Sequence, residues 1–506
     1  MSTLGLDIGT TGCKAAVFDA HGTLLASAYR EYPLIVSQPG WAELDSDRVC
    51  ALAMEVVAEA AAACHDDPVR AVGVSCQGEA FTPVDRVGKA LGYAMVSSDS
   101  RAATYTDEWS RQFGVQSLYE RTGHTPHPMF SLFKLLWMRD HRPEVWRDAD
   151  RWLCFEDLFC LRLGLPPAMG YPLAGRTMLF NVRTHEWDGE ILAAVGLAAD
   201  RLARPIPAGS ISGTIPAETA RRLGLAPGAL LIAGGHDQPC NAIGAGVVQG
   251  GVAMYASGTV ECVCPAFDRA VFEPTLMRSN LCTYDFTLPG MYTTVAFSLT
   301  GGNLLKWFRD EWCALERVEA ARNGVDVYEL ILREMATQPS SVLVLPYFTP
   351  SGTPHFDTDT PGVIHGLRLA TRRGDILRGL MEGVALEMRL NLETLRAAGV
   401  PIRELRAVGG GARNPVLLRL KATVLGTPIV PVAVTEAGCL GMAMLGYAAC
   451  EGVPVAELVP KWIRTLEPVL PDPALAEHYT RRFEEYCLLY EETRAFAAKL
   501  KLKRNP

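Results

Sequence analysis

Residues 4–19 read LGLDIGTTGCKAAVFD, a polar turn between two apolar runs. The runs, residues 4–6 and 15–18, predict two short strands. The turn between them holds two glycines, two threonines and a lysine, so backbone N–H groups, hydroxyls and one positive charge gather at one point. These are the components of a phosphate-binding turn and equally of an ordinary hairpin turn. The segment by itself leaves both alternatives open.

The same pattern returns near the middle of the chain. Residues 250–267, GGVAMYASGTVECVCPAF, place Ser257-Gly258-Thr259 between two apolar strand-like runs. The order of elements that follows each turn also recurs, which predicts two related domains that each carry a turn of phosphate size. If the two turns face each other across a cleft, one triphosphate can contact both. Chance similarity of two turns is the alternative.

Further elements follow from hydrophobic periodicity and from helix-start residues. The first copy of the repeat predicts strands at Leu4–Ile8, Lys14–Asp19, Thr23–Tyr32 and Arg70–Gln77, with a helix at Asp47–Cys64. The second copy predicts a third strand at Met291–Leu299 and a helix at Asn303–Trp312. A helical tail is predicted for Val455–Pro506, ending in a basic surface run at residues 499–504.

Bulk composition limits the classes of protein. A chain of 506 residues is too long for one core and predicts two domains. The net charge of −8 disfavours nucleic acid and anionic membranes as partners. The N-terminus lacks the pattern of a signal peptide, and no apolar run approaches the ~20 residues of a membrane span. The 14 cysteines include no C-x-x-C pair, which indicates reduced thiols in a cytoplasmic protein and no zinc site.

Two glycine-rich junctions, one between the repeats and one after them, are candidate ligand-binding segments. A predicted strand, Ala229–Ala233, leads into Gly234-Gly235 and then Asp237, which is either a cleft carboxylate or a helix N-cap. We expect the neighbouring His236 to face away from Asp237. Later, residues 409–411 are three glycines before a helix that starts near Asn414, a place where an anionic ligand can approach the backbone. Neither a Rossmann nor a P-loop pattern is present.

Several stretches along residues 3–450 resemble the FGGY carbohydrate kinases, part of the sugar kinase–actin superfamily. Residues 5–19 resemble the first phosphate hairpin of that family, residues 39–45 (PGWAELD) its G-W-x-E-x-D stretch, residues 129–141 (MFSLFKLLWMRDH) its first signature, and residues 362–383 its second signature. The second signature departs from the family at Gly379 and Leu380. We expect this departure to affect helix packing and not chemistry.

The resemblance implies an α/β fold of two duplicated ribonuclease-H-like (actin-like ATPase) domains with a deep interdomain cleft. It implies an N-terminal domain at residues 1–246 with the sugar site and first phosphate hairpin, a C-terminal domain at 247–455 with the nucleotide site, and a helical tail at 456–506. It also implies ATP and Mg²⁺ as cofactors and a small sugar or polyol as substrate. The oligomeric state, including a homodimer, is left open.

Roles of individual residues are likewise implied by the resemblance. Asp237 matches the catalytic base, and Asp7, with Asp237, matches the carboxylates that hold magnesium through water. The nucleotide would contact Thr10, Thr11, Lys14, Thr259, Gly301, Gly410, Gly411 and Asn414. The sugar would contact Gln77, Glu79, Asp99, Asp237 and Gln238. Without the resemblance, Glu79 reads as a surface loop acid.

The implied reaction is transfer of the γ-phosphate of ATP to a primary hydroxyl of a small ketose or polyol. Glu79 and Gln238 resemble the polar set of glycerol kinases, as does the stretch 173–188. Gly78 stands where those enzymes carry arginine, which we expect to open space and leave Glu79 partly unpaired, and Met129 offers an apolar wall. These features favour a xylulose-like ketopentose. Glycerol, erythritol, gluconate, ribulose or fuculose kinases are alternatives, as is a non-catalytic actin-like switch.

Overall fold

A computed structural model describes residues 1–504, so the last two residues of the predicted tail lie outside the described part. Two open sheets, one in each half of the chain, organise the molecule. The fourteen cysteine side chains, twelve of them buried, form no disulfide within residues 1–504. In that same range, no helix has the length and apolar character needed to cross a membrane.

The first half of the chain contains fourteen strands and ten helices. The strands are β1 (Thr3–Ile8), β2 (Gly12–Phe18), β3 (Leu24–Glu31), β4 (Glu43–Leu44), β5 (Ala71–Cys76), β6 (Thr82–Val84), β7 (Ala94–Met95), β8 (Arg151–Leu153), β9 (Ala168–Gly170), β10 (Phe180–Asn181), β11 (Glu186–Trp187), β12 (Arg204–Ile206), β13 (Ile211–Thr214) and β14 (Leu230–His236). The helices are α1 (Ser46–Ala62), α2 (Thr104–Phe113), α3 (Val115–Thr122), α4 (Ser131–His141), α5 (Pro143–Asp148), α6 (Phe155–Arg162), α7 (Tyr171–Gly175), α8 (Gly189–Val195), α9 (Ala217–Arg222) and α10 (Asp237–Gly244).

The second half, within its described residues, contains nine strands and nine helices. The strands are β15 (Gly251–Ser257), β16 (Glu261–Phe267), β17 (Tyr284–Asp285), β18 (Tyr292–Thr293), β19 (Ala296–Ser298), β20 (Leu343–Leu345), β21 (Val363–His365), β22 (Ile402–Val408) and β23 (Ile429–Pro431). The helices are α11 (Pro274–Arg278), α12 (Gly302–Trp312), α13 (Ala314–Asn323), α14 (Val327–Arg333), α15 (Arg373–Ala397), α16 (Pro415–Leu425), α17 (Ala437–Glu451), α18 (Val455–Trp462) and α19 (Ala476–Arg504).

The two main sheets repeat one arrangement, as the sequence predicts. From one edge to the other, the first sheet has the order β3-β2-β1-β5-β14-β13. The second sheet has the matching order β18-β16-β15-β22-β23, and β19 also pairs with β16. In each, a hairpin is antiparallel (β1 with β2, β15 with β16), and its first strand pairs in parallel with a later strand, β5 or β22. The predicted third strand of the second copy is divided into β18 and β19.

The helix that precedes the parallel strand differs between the two sheets. In the first sheet α1 stands before β5, and Asp45 caps it by accepting a hydrogen bond from the backbone N–H of Arg48 at 3.2 Å. The predicted helix α12 forms in the second half, but the helix directly before β22 is α15. The region from α12 to β21 is therefore inserted within the second repeat. Gly379 suits its place, because a Cβ there would lie 2.5 Å from Val342 Cγ2.

The two halves join through a close contact of α10 and α17. A Cβ on Gly244 would overlap the carbonyl of Ala437, and one on Gly441 would lie 2.8 Å from the backbone nitrogen of Gly244. Helix α17 also packs on the first sheet, where a Cβ on Gly5 would overlap the carbonyl of Cys439. Helix α17 of the second half is thus held against the strands that carry the β1–β2 turn.

The C-terminal helix α19 is anchored on α15 by hydroxyl-to-carboxylate hydrogen bonds. Tyr479 donates to Glu382 at 2.7 Å, and Tyr486 donates to Glu387 at 2.5 Å. Both carboxylates are buried. Within the described part of the predicted tail, two helices, α18 and α19, are separated by a segment without α-helix at residues 463–475.

Candidate active site

The turn between β1 and β2 is held by its neighbours in the first sheet. The backbone N–H of Gly9 donates to the carbonyl of Gly12 at 3.0 Å and closes the turn. Thr10 Oγ1 donates to Gln77 Oε1 at 3.1 Å, and Gln77 Nε2 donates to the Gly9 carbonyl at 3.0 Å. Gln77 therefore braces this turn, and Thr11 is exposed at its tip.

Lys14 connects the first turn with the second half of the chain. Its Nζ lies 2.8 Å from Glu436 Oε2, directly before α17 begins. Both side chains are partly exposed, at 31% and 26%. Lys14 is register partner to Asp7 across the hairpin. A flexible ammonium with a partly exposed partner can move to a phosphate oxygen without leaving a buried charge unpaired.

Asp7 and Asp237 form an acidic centre at the ends of β1 and β14. Asp7 Oδ1 accepts a hydrogen bond from Ser75 Oγ at 2.8 Å, and burial raises its pKa. Burial, followed by the charges of Asp7 and Glu79, raises the pKa of Asp237 to about 7. Asp237 Oδ1 is buried without a hydrogen-bond partner. A carboxylate with this pKa is suited to accept a proton near neutral pH.

A bulge in β14 determines where the acidic centre points. The register shifts between Ala233 and Gly235, and Gly235 has φ +111°, a conformation that favours glycine. The strand continues through these glycines to His236, past its predicted end at Ala233. Asp237 is then the first residue of α10. The buried carboxylate of Glu156 holds the bulge by accepting the Gly234 N–H at 2.9 Å.

The expectation that His236 faces away from Asp237 is wrong. His236 Nε2 lies 3.3 Å from Asp237 Oδ1, at the junction where β14 ends and α10 begins. The Tyr284 hydroxyl lies 2.8 Å from His236 Nδ1. Burial, and then the charge of Arg176, lowers the pKa of His236 well below its usual range, so the ring is neutral. A neutral ring that accepts from Tyr284 carries its proton on Nε2, next to the base.

Glu79 is a buried member of the site and not a surface loop acid. Its backbone has φ +68°, uncommon for a residue with a side chain. Its carbonyl accepts hydrogen bonds from Ser131 Oγ at 3.0 Å and Lys134 Nζ at 3.2 Å. Its carboxylate accepts from Arg176 Nε at 2.6 Å. The strained backbone is therefore fixed from several sides, which is typical of residues at functional sites.

Arg176 is a site residue that the sequence did not reveal. It is buried, lies 3.2 Å from His124 Nε2 through a guanidinium nitrogen, and stacks over Phe130 at 5.0 Å. The charge of Glu79 raises its pKa against the effect of burial. The residue lies within the stretch 173–188, but the 97 positions that separate it from Glu79 hide the pairing.

The argument from Gly78 needs correction. A Cβ at this position would lie 3.1 Å from His236 Cδ2 and 3.6 Å from Arg176 Cβ. The space that glycine was expected to open is therefore occupied by His236. Glu79 is also paired, with Arg176, and is not left partly unpaired.

Asp99 and Gln238 each form hydrogen bonds with other segments of the chain. Asp99 Oδ2 accepts the Ala42 N–H at 2.8 Å, and both Asp99 oxygens accept from Arg101. Arg101 in turn lies 3.5 Å above the ring of Trp41. Asp99 therefore holds the Arg101 guanidinium in place over the Trp41 ring. Gln238 Oε1 accepts from Cys262 Sγ at 3.3 Å, which links α10 to β16.

The second phosphate turn meets the N-terminus of α12. The backbone N–H of Gly302 donates to the Gly258 carbonyl at 2.9 Å, and that of Asn303 donates to the Thr259 carbonyl at 3.2 Å. Asn303 Oδ1 accepts the N–H of Gly301 at 2.7 Å. Thr259 is exposed at the tip of the turn, as Thr11 is in the first turn.

A third segment, residues 409–414, completes this side of the site. Gly409 has φ +92°, and a Cβ on Gly410 would meet no atom within 4 Å. Asn414 caps α16, since its Oδ1 accepts the backbone N–H of Val416 at 3.0 Å. An open backbone surface before a capped helix gives room for a flat or anionic ligand.

Two domain models of one family match the chain. The N-terminal domain of the FGGY family of carbohydrate kinases matches residues 2–244, and the C-terminal domain matches residues 253–450. The chain belongs to the FGGY family of carbohydrate kinases. It is an ATP-dependent sugar kinase with the two-domain actin-like ATPase fold of that family, as predicted. A sugar or polyol and ATP are its substrates.

Relatives of this FGGY kinase act on different substrates. The xylulose kinase of Bacillus subtilis is 24% identical over 99% of each chain. The glycerol kinase of Bordetella parapertussis is 31% identical over 92% of this chain and 93% of the relative. The crystal structure of a gluconate kinase from Lactobacillus acidophilus shares the fold, with a TM-score of 0.89 at 22% identity over 98% of both chains. At these identities, the relatives do not single out one sugar.

Proposed function

We propose that this FGGY kinase transfers the γ-phosphate of ATP to a primary hydroxyl of a small ketose or polyol, with a xylulose-like ketopentose preferred. Asp237 accepts the hydroxyl proton. The observation that carries this role is the burial of its carboxylate close to Asp7 and Glu79: burial, followed by those two negative charges, raises its pKa to about 7. Phosphoryl transfer depends mainly on positioning and charge neutralisation, with a carboxylate to take the proton.

The phosphate chain would lie between the two turns. Thr10, Thr11 and Lys14 would contact the transferred phosphate from the first turn, and Thr259 would contact the chain from the second. Gly301, Gly410, Gly411 and Asn414 would border the rest of the nucleotide. What supports this placement is the set of backbone N–H groups and the open space at Gly410.

Asp7 and Asp237 fit a Mg²⁺ ion held through water. Their pKa values are raised because each is a buried carboxylate with another acid nearby. Mg²⁺ commonly binds one or two carboxylates together with waters and substrate phosphates. Within residues 1–504, no three His, Cys, Asp or Glu side chains are grouped to hold a metal directly, which agrees with a water-bridged ion. When bound, the ion would neutralise phosphate charge.

The preference for a five-carbon ketose rests on the cavity next to Arg176. This cavity is lined by Arg176, by the apolar side chains of Met129, Phe130, Val295, Phe297 and Phe356, and by His124, Thr125, Asn280 and Cys282. A chain longer than three carbons can lie against that lining while its polar end meets Glu79 and Asp237. Gln77 and Asp99 would shape the site from behind, and Gln238 would face the sugar.

Glycerol is the second candidate, and one observation favours it. Arg176 supplies the guanidinium that Gly78 lacks, so the polar set expected for a three-carbon polyol is complete. The test is the ratio of kcat/KM for D-xylulose and for glycerol, with gluconate as a third acceptor. A ratio above about ten supports the ketose, and a preference for glycerol overturns it. Replacement Met129→Ala should lower kcat/KM for the ketose more than for glycerol.

A further inference from the structure

A buried ion pair lies directly beneath the second phosphate turn. Lys421, on α16, pairs with the carboxylate of Glu261, the first residue of β16, and the two side chains are only 5% and 2% exposed. Ser257 joins the pair, because Lys421 Nζ donates to Ser257 Oγ at 2.7 Å and Ser257 Oγ lies 3.3 Å from Glu261 Oε1. The Tyr255 hydroxyl also donates to Glu261.

All three segments that border the proposed nucleotide site touch this cluster. A Cβ on Gly301 would lie 2.8 Å from Glu261 Cγ. A Cβ on Gly409 would lie 2.8 Å from the Ser257 carbonyl, and one on Gly411 would overlap Ser257 Oγ. The second phosphate turn, the start of α12 and the glycine turn before α16 therefore converge on one pair of charges.

The stability of the fold alone gives little reason for such a pair. Removing two charges from water costs about as much as their attraction returns, and apolar residues of similar volume often serve as well. Charged hydrogen bonds do, however, fix the relative position of the segments that carry them. Lys421 lies on α16, which follows the 409–411 turn, and Glu261 directly follows the second phosphate turn.

We propose that the Lys421–Glu261 pair, through Ser257, positions the second phosphate turn and the 409–411 turn for ATP. These residues are positioning residues, since they lie under the turns and do not face the ligand. The inference rests on the nucleotide placement proposed above. It predicts that disrupting the pair weakens nucleotide binding but leaves sugar binding and the rate of the chemical step nearly unchanged.

The experiment replaces both charges together, since removing one alone leaves a buried unpaired ion. In Lys421→Met/Glu261→Gln we expect KM for ATP, and the Kd for ADP by calorimetry, to rise about tenfold or more, because small misplacements of binding groups have effects of this size. KM for the sugar and kcat at saturating ATP should stay within about threefold. Ser257→Ala should give a smaller rise in KM for ATP.

A second buried pair in the same half provides the control. Arg378 Nε lies 2.7 Å from Glu382 Oε1 on α15, and Tyr479 also donates to that carboxylate. The variant Arg378→Met/Glu382→Gln should lower the melting temperature comparably and leave KM for ATP unchanged. If both double variants change KM for ATP alike, or if neither does, the inference is overturned.

One more variant separates this inference from the nucleotide placement itself. Gly410→Leu adds a side chain into open space, so it should leave folding intact and raise KM for ATP. If Gly410→Leu has no effect on KM for ATP, the nucleotide placement fails. If Gly410→Leu raises KM for ATP and Lys421→Met/Glu261→Gln does not, only the role of the ion pair fails.

Discussion

The pH dependence of the reaction follows from the surroundings of Asp237. Its carboxyl has a pKa of about 7, compared with an ordinary value of 3.8, because it is buried and because Asp7 and Glu79 are negatively charged nearby. Only the ionised carboxylate can accept the hydroxyl proton. Lowering the pH through 7 should therefore remove the active form of the enzyme.

The size of this effect can be worked out from the pKa. At pH 8 about nine-tenths of Asp237 is ionised, and at pH 6 about one-eleventh, so kcat/KM for the sugar should fall about tenfold between them. A carboxylate with the ordinary pKa of 3.8 would be almost fully ionised at both values. The prediction thus distinguishes a perturbed base from an ordinary surface acid.

The assay is ADP release at saturating ATP and magnesium, with limiting sugar, from pH 5.5 to 8.5 and with coupling enzymes in excess. The residual activity of Asp237→Asn should show no such acid limb, which makes this variant the control. A kcat/KM that is constant between pH 6 and 8, or an acid limb that persists in Asp237→Asn, would refute the reasoning.

Four further predictions concern the catalytic and stability effects of the base, the junction of the halves and closure. Asp237→Asn should lower kcat by about 10²–10⁴-fold and weaken sugar binding less; turnover near the wild-type rate would contradict its role. The raised pKa of Asp237 lowers the free energy of unfolding of the wild type as the pH rises from about 4 to 7, because the folded protein favours the protonated carboxyl. Asp237→Asn should therefore be more stable than the wild type at pH 8, by at most about 4 kcal/mol, and the difference should close toward pH 4. Chemical denaturation of both proteins at pH 8 and pH 4 measures this difference, and a difference that does not depend on pH counts against the raised pKa. Gly441→Val should destabilise the chain by about 1–3 kcal/mol through overlap of α17 with α10, whereas Gly189→Val, where a Cβ meets no atom within 4 Å, should not; equal melting temperatures for the two variants would contradict that packing. Sugar together with a nonhydrolysable ATP analogue should reduce the radius of gyration in small-angle scattering, and an unchanged radius with an active sugar would argue against closure.

The duplicated hairpins could be predicted because their signal is local. In both copies, a run of apolar residues meets a glycine–threonine turn within about fifteen positions, and periodicity alone indicates the strands. The boundaries of β1 and β3 came within one or two residues of prediction. The place of α15 could not be read in this way, because a long insertion separates it from β19.

The interior of the sugar site depends on contacts between distant segments. Glu79 and Arg176 pair although 97 positions separate them in the sequence. The space beside Gly78 is occupied by His236, which comes from a third segment. His236 and Asp237 lie side by side at the junction of β14 and α10, just after the bulge at Gly234 and Gly235. The glycines in the sequence indicate a break in the strand, but they do not indicate which way the following side chains point. The roles of the individual site residues stay predictions.

The most direct test of the central claim is ADP release by the purified protein with and without each member of a panel of sugars and polyols. The account predicts that ADP forms only when an acceptor is present, in equal amount to a phosphorylated acceptor, and fastest with a ketopentose or related polyol. ADP release at the same rate without any acceptor would contradict it and indicate a nucleotide switch.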